Sequence, residues 1–171
     1  LSTLSAADAA DPLLILDHAR WLRNAQRYDE AIQLWNGPAA AAEAQTSLAL
    51  FWRERDALAR ELLQNNRSTE AFLVANDTVV SGANKLDTQF LSGGIALEQQ
   101  QDPAKAEPFF RQLAASSALI TRSRGYYWLG RTHTLAHNEA SAKVDYQQAA
   151  SDVGTFYGQM AAAELEGQIP T

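Results

Sequence analysis

Two stretches of this chain are near copies of one another. GIALEQQQDPAKAEPFF at 94–110 aligns with GRTHTLAHNEASAKVDY at 130–146 at a constant offset of 36 residues. In that register Gly94 matches Gly130, Asp102 matches Asn138, Ala104 matches Ala140, Ala106 matches Ala142 and Phe110 matches Tyr146. Two looser copies lie upstream. RYDEAIQLW sets Ala31 four residues before Trp35, and RSTEAFLVA sets Ala71 four residues before Ala75. A unit this short cannot bury its own apolar face and must stack on neighbours. The repetition predicts an all-α fold, a tetratricopeptide-like α–α superhelix in which antiparallel helix pairs form an arc. A single compact bundle is the alternative. The mechanism is steric: small residues let paired helices approach, and the aromatic fills the groove to the next pair.

Residue usage agrees. Ala, Leu, Gln, Glu and Arg dominate, and runs alternating at period two are short. Breakers at Gly37-Pro38, Asn65-Asn66, Gly82, Asp102-Pro103, His137-Asn138, Gly154 and Gly167 cut the chain into roughly eight or nine helices. Asp102 and Asn138 are suited to cap helices, and Pro103 to open one. The Ala- and Asp-rich start, residues 1–12, reads as a linker or frayed terminus, and 13–171 as one helical repeat domain. The chain begins at Leu1, which predicts a piece of a longer protein or a processed one.

The formal charge of −6 argues against a nucleic-acid surface. No apolar run approaches the roughly 20 residues that span a bilayer. With no cysteine, the sequence offers neither disulfides nor thiol chemistry. His133 and His137 share a helical face at metal-binding spacing, but HTLAH lacks the Glu of a zinc protease, so no metal is expected. Glu54, Asp56 and Glu61 interleave with Arg53, Arg55 and Arg60, which predicts a solvated, salt-bridged helix face rather than a catalytic carboxylate pair. Nucleophile and phosphate-loop motifs are absent. No cofactor and no catalytic residue are predicted.

The densest aromatic cluster is YYWLGR at 126–131. Neighbours on a helix stand about 100° apart, so the three rings cannot all face inward. Tyr126, Tyr127, Trp128 and Arg131 are therefore the candidate binding residues. At least one ring is expected near the surface beside Arg131, able to stack on a sugar or hold a peptide.

The stretch from Arg124 to Leu165 resembles the superhelical region of soluble lytic murein transglycosylases. The resemblance rests on YWLGR at Tyr127–Arg131, the A-x-x-x-Y helix from Ala142 to Tyr146, and TFYGQ at Thr155–Gln159, followed by Met160 where the family usually has Leu. It extends more loosely over 17–166. It implies a periplasmic, peptidoglycan-processing parent whose helical part holds glycan strands. A separate lysozyme-like domain, C-terminal to this segment, would cleave them to 1,6-anhydro products. The family's Glu-Ser and Gly-Leu-Met-Gln motifs have no counterpart here, so the resemblance brings no catalytic residue into this chain. A tetratricopeptide-like adaptor for a protein partner is the alternative.

Overall fold

The computed structural model describes residues 11–46, 49–76 and 83–167. It contains α1 (Pro12–Asn24), α2 (Tyr28–Trp35), α3 (Pro38–Thr46), α4 (Ala49–Gln64), α5 (Ser68–Ala75), α6 (Ala83–Gly94), α7 (Pro103–Ala114), α8 (Leu119–Leu135), α9 (Glu139–Ala150) and α10 (Phe156–Gly167). A π-helical turn, Ile95–Gln99, follows α6 directly. No strand occurs among the described residues. The fold is all-α, as expected. The expected linker lies outside the described residues except for Asp11 and Pro12, and the breaker Gly82 lies outside them too. Asp11 caps α1 by accepting from the Leu13 amide at 2.8 Å, so the helix opens one residue before the expected boundary.

Four turns carry the repeat. Gln26, Asn66, Gln101 and His137 have φ of 56°, 60°, 53° and 57°. Five residues after each stands Ala31, Ala71, Ala106 or Ala142, and all four alanines are completely buried. At three turns the backbone closes in the same way. Arg27 N donates to Leu22 O (2.9 Å), Arg67 N to Leu62 O (2.8 Å) and Asn138 N to His133 O (2.8 Å), each satisfying a carbonyl in the last turn of a helix. At the third turn in chain order Asp102 N reaches Ala96 O at 2.9 Å, one residue further back than in the other three. The π-turn absorbs the extra residue.

That extra residue corrects the sequence register. Gly94 does not occupy the place of Gly130. A Cβ on Gly130 would meet the Tyr146 ring at 2.5 Å, and one on Gly93 would meet Phe110 Cε1 at 2.8 Å, whereas one on Gly94 would find nothing within 4 Å. Phe110 and Tyr146 do correspond, and both are buried. Their glycine partners are Gly93 and Gly130.

The chain divides into two units, 1–88 and 89–171. In the first, α2 packs antiparallel to α4, with Trp35 edge-on to Phe51 at 6.3 Å and Tyr28 near Glu61 at the opposite end. Its core includes Leu16, Leu22, Phe51, Leu58, Leu62 and Val74. In the second, α7, α8 and α9 are successively antiparallel. Trp128 of α8 stacks on Phe110 of α7 at 5.7 Å, while Gly125 lies against Leu113 and Ala114. Helices α8 and α10 run parallel, joined by Ser123 to Thr155 (2.7 Å) and Tyr127 to Tyr157 (5.6 Å between ring centroids). This pairing, with each first helix parallel to the next first helix, is the packing of a helix-pair repeat.

The charged face of α4 departs from expectation. Glu54 and Arg55 are buried, not solvated. Glu54 and Glu61 pair with Arg23 of α1, both at 2.5 Å, and Glu61 also accepts from the Tyr28 hydroxyl at 3.1 Å. Arg55 pairs with Glu43 of α3, donates to Val74 O at 2.7 Å, and lies over the Trp35 ring at 4.5 Å. Arg60–Asp56, at 2.9 Å, is a within-helix pair of the kind that the sequence spacing suggests. The buried charges tie helices together instead of facing water.

Candidate functional site

In the second unit a groove of about 490 Å³ opens between two repeat turns. Leu97, Glu98 and Gln101 of the π-turn and its exit form one wall, and Arg131, Leu135 and His137 at the end of α8 form the other. Both walls end at a positive-φ residue, Gln101 on one side and His137 on the other. The groove therefore follows from the repeat: equivalent turns of successive helix pairs flank a furrow, and one of these turns is widened by the π-helix.

The polar groups on the walls are positioned by local structure. Gln101 donates through its side-chain amide to Glu98 O at 3.0 Å and Leu97 O at 3.3 Å, closing the end of the π-turn. Thr134, also at the groove, donates to Gly130 O at 2.9 Å. Arg131 lies over the Trp128 ring at 5.4 Å and donates to the Tyr127 hydroxyl at 3.5 Å. Its nearest carboxylate, Glu98, stands 3.9 Å away, too far for a hydrogen bond. Both side chains are substantially exposed, 42% for Arg131 and 48% for Glu98. The result is a cation and an anion side by side, the cation held from beneath and both open to a ligand.

The four residues singled out from the sequence separate. Arg131 lines the groove. Trp128 is half-buried, stacked on Phe110 and set edge-on to Phe90 at 5.8 Å, so it supports Arg131 rather than offering a free face. Tyr126 is half-buried against the cluster formed by Tyr127, Ala142, Tyr146, Ala149 and Ala161. Tyr127 is 1% exposed and packed between Tyr146 and Tyr157, so it is a core residue and cannot touch a ligand. Of the three candidate rings Tyr127 is in the core, while Tyr126 and Trp128 are half-buried: the aromatic run mainly builds the core, and the cation next to it reaches the surface. Sequence reasoning missed Leu97, Gln101 and Leu135 as groove residues. The available signal was the pair of equivalent turns one repeat apart.

His133 and His137 do not form a shared site. His133 Nδ1 is 2.6 Å from Asp145 and Nε2 is 3.6 Å from Glu107, which links α8 to α9 and α7. His137 lies beyond the end of α8, at the groove. Burial pushes the Asp145 carboxyl above the usual range, against the opposing pull of His133. The Arg111 hydrogen bond holds Glu107 below it. Among the described residues no group of three His, Cys, Asp or Glu is arranged to hold a metal ion, and no helix is long and apolar enough to cross a membrane.

Fold and groove together define an all-α helix-pair repeat with an open, charged furrow. No family model, curated protein or solved structure matches this chain.

Proposed function

We propose that this chain is a non-catalytic helical scaffold of a periplasmic peptidoglycan lytic transglycosylase. It holds or guides murein strands for a catalytic domain carried separately by the parent enzyme. The observation that carries this reading is the placement of the groove. Its α8 wall, with Arg131, belongs to the YWLGR element that resembles the superhelical region of that family. An open furrow suits a polymer better than an enclosed cavity would, because a strand can enter and leave along its length. The reading makes the chain inert by itself. Incubated with purified murein sacculi, it is expected to release no soluble anhydro-muropeptides. Appreciable release, measured by chromatography of the supernatant, would overturn the non-catalytic assignment.

A second reading, a helical adaptor for a protein partner, draws on a different feature. Ile120 at the start of α8, and Val153 and Phe156 around the start of α10, are 70%, 72% and 68% exposed. Apolar side chains this exposed favour a protein contact. Retention on insoluble peptidoglycan, set against retention on a panel of envelope proteins, separates the two readings.

A further inference from the structure

We propose that the groove between the π-turn and the end of α8 binds the zwitterionic head of an α-amino acid borne on a short apolar chain. Arg131 would take the carboxylate and Glu98 the ammonium. The inference rests on the peptidoglycan reading for its setting, and within it assigns the peptide part of the polymer, rather than the sugar, to this groove.

Charge complementarity is the first argument. The groove presents one cation and one anion, 3.9 Å apart and not hydrogen-bonded to each other. A ligand carrying only a carboxylate would gain Arg131 but be repelled by Glu98, and an amine alone would meet the reverse. A group with both charges on one carbon satisfies both side chains. It inserts into a pair that is too loose to hold itself closed. Arg131 is also pre-positioned: Trp128 lies beneath the guanidinium and the Tyr127 hydroxyl accepts from it. Less rotamer freedom is then lost on binding, and guanidinium–carboxylate pairing gains from fixed geometry. Half-buried Leu135 supplies apolar surface for a carbon chain, and buried Leu97 closes the floor behind it.

The π-turn is the second argument. Of the four equivalent turns only the one bearing Glu98 and Gln101 departs from the common backbone pattern. A π-turn inserted in a helix is rare and recurs at functional sites, where it re-aims side chains. Here it forms the groove wall that carries Glu98.

The test is an NMR titration of the isotopically labelled chain with four probes. These are norleucine, norleucine amide, N-acetyl-norleucine and N-acetylglucosamine. Norleucine at about 10 mM, well above a dissociation constant of about 1 mM, is expected to shift the amide resonances of Leu97–Gln101 and Arg131–His137. The two blocked derivatives, each lacking one charge, and the sugar are expected to leave them in place. Arg131→Gln and Glu98→Gln should each weaken norleucine binding about tenfold, the scale of one lost charged hydrogen bond. Both positions are solvent-exposed, and unchanged melting of either variant shows that the fold is kept. Blocked derivatives that bind as well as norleucine would overturn the proposal, as would an undiminished norleucine affinity in Glu98→Gln or no shift with norleucine at all. Sugar shifts without norleucine shifts would overturn it while leaving the peptidoglycan reading standing.

Discussion

Gly125→Ala is expected to destabilise the second unit by about 3 kcal/mol. The added Cβ would lie 2.7 Å from Ala114 Cα and from the Leu113 carbonyl carbon, all backbone atoms at the end of α7. No rotamer change relieves a contact with backbone, so α7 and α8 would have to move apart. That movement would also loosen the stack of Trp128 on Phe110. Thermal unfolding should show the transition of this unit lowered by about 10 °C or more. The same logic, applied to two adjacent glycines, tests the π-turn. Gly93→Ala should destabilise by roughly 1–3 kcal/mol, because its Cβ meets the buried Phe110 ring. Gly94→Ala should stabilise by about 0.5–1 kcal/mol, because Gly94 has helical φ and ψ of −61° and −43° and open space around it. Reversed signs at 93 and 94 would restore the simple 36-residue register and remove the π-turn from the description.

Arg23→Met should cost the first unit about 3–5 kcal/mol. One guanidinium, 17% exposed, neutralises two carboxylates that approach it from a single face of α4. Glu54 is buried, and its other cation, Arg20, is 3.8 Å away. Methionine keeps the packing volume and removes the charge, which leaves two partly or wholly buried carboxylates close together without the group between them. The Glu54 hydrogen bond holds the Arg23 guanidinium above its usual pKa range, so it stays charged at every pH where the chain folds. Denaturant unfolding of Arg23→Met beside Arg23→Met/Glu54→Leu checks the mechanism. The double variant, which removes the uncompensated buried charge, should recover much of the loss. Equal stability in the two variants would show that packing around Arg23 matters more than charge.

The parts of this fold legible in the sequence are those set by size and local spacing. Ala31, Ala71, Ala106 and Ala142 were readable because a helix crossing admits only small residues, and all four are buried. The turns before them were harder. Gln26 adopts φ of 56° with neither glycine nor proline nearby to mark it. The register at Gly93 and Gly94 was hidden because a second glycine stands beside the first and masks the one residue that the π-turn adds. Charge pairing was the least legible. Spacing along α4 suggested partners within the helix, yet Glu54 and Glu61 found Arg23 on another helix, a contact that only tertiary packing creates. At YYWLGR the helical period required the rings to diverge, and they do, but packing rather than spacing decided which. Tyr127 went to the core, Trp128 took Phe110, and Arg131 was left at the surface.

The most direct measurement of the central claim is amide hydrogen exchange on the chain with and without soluble, uncross-linked peptidoglycan strands. If the groove is where strands are held, protection should rise over 95–101 and 131–137 and stay unchanged over 12–75. No change anywhere, or a change confined to the exposed start of α8 and α10 around Ile120 and Phe156, would contradict the claim.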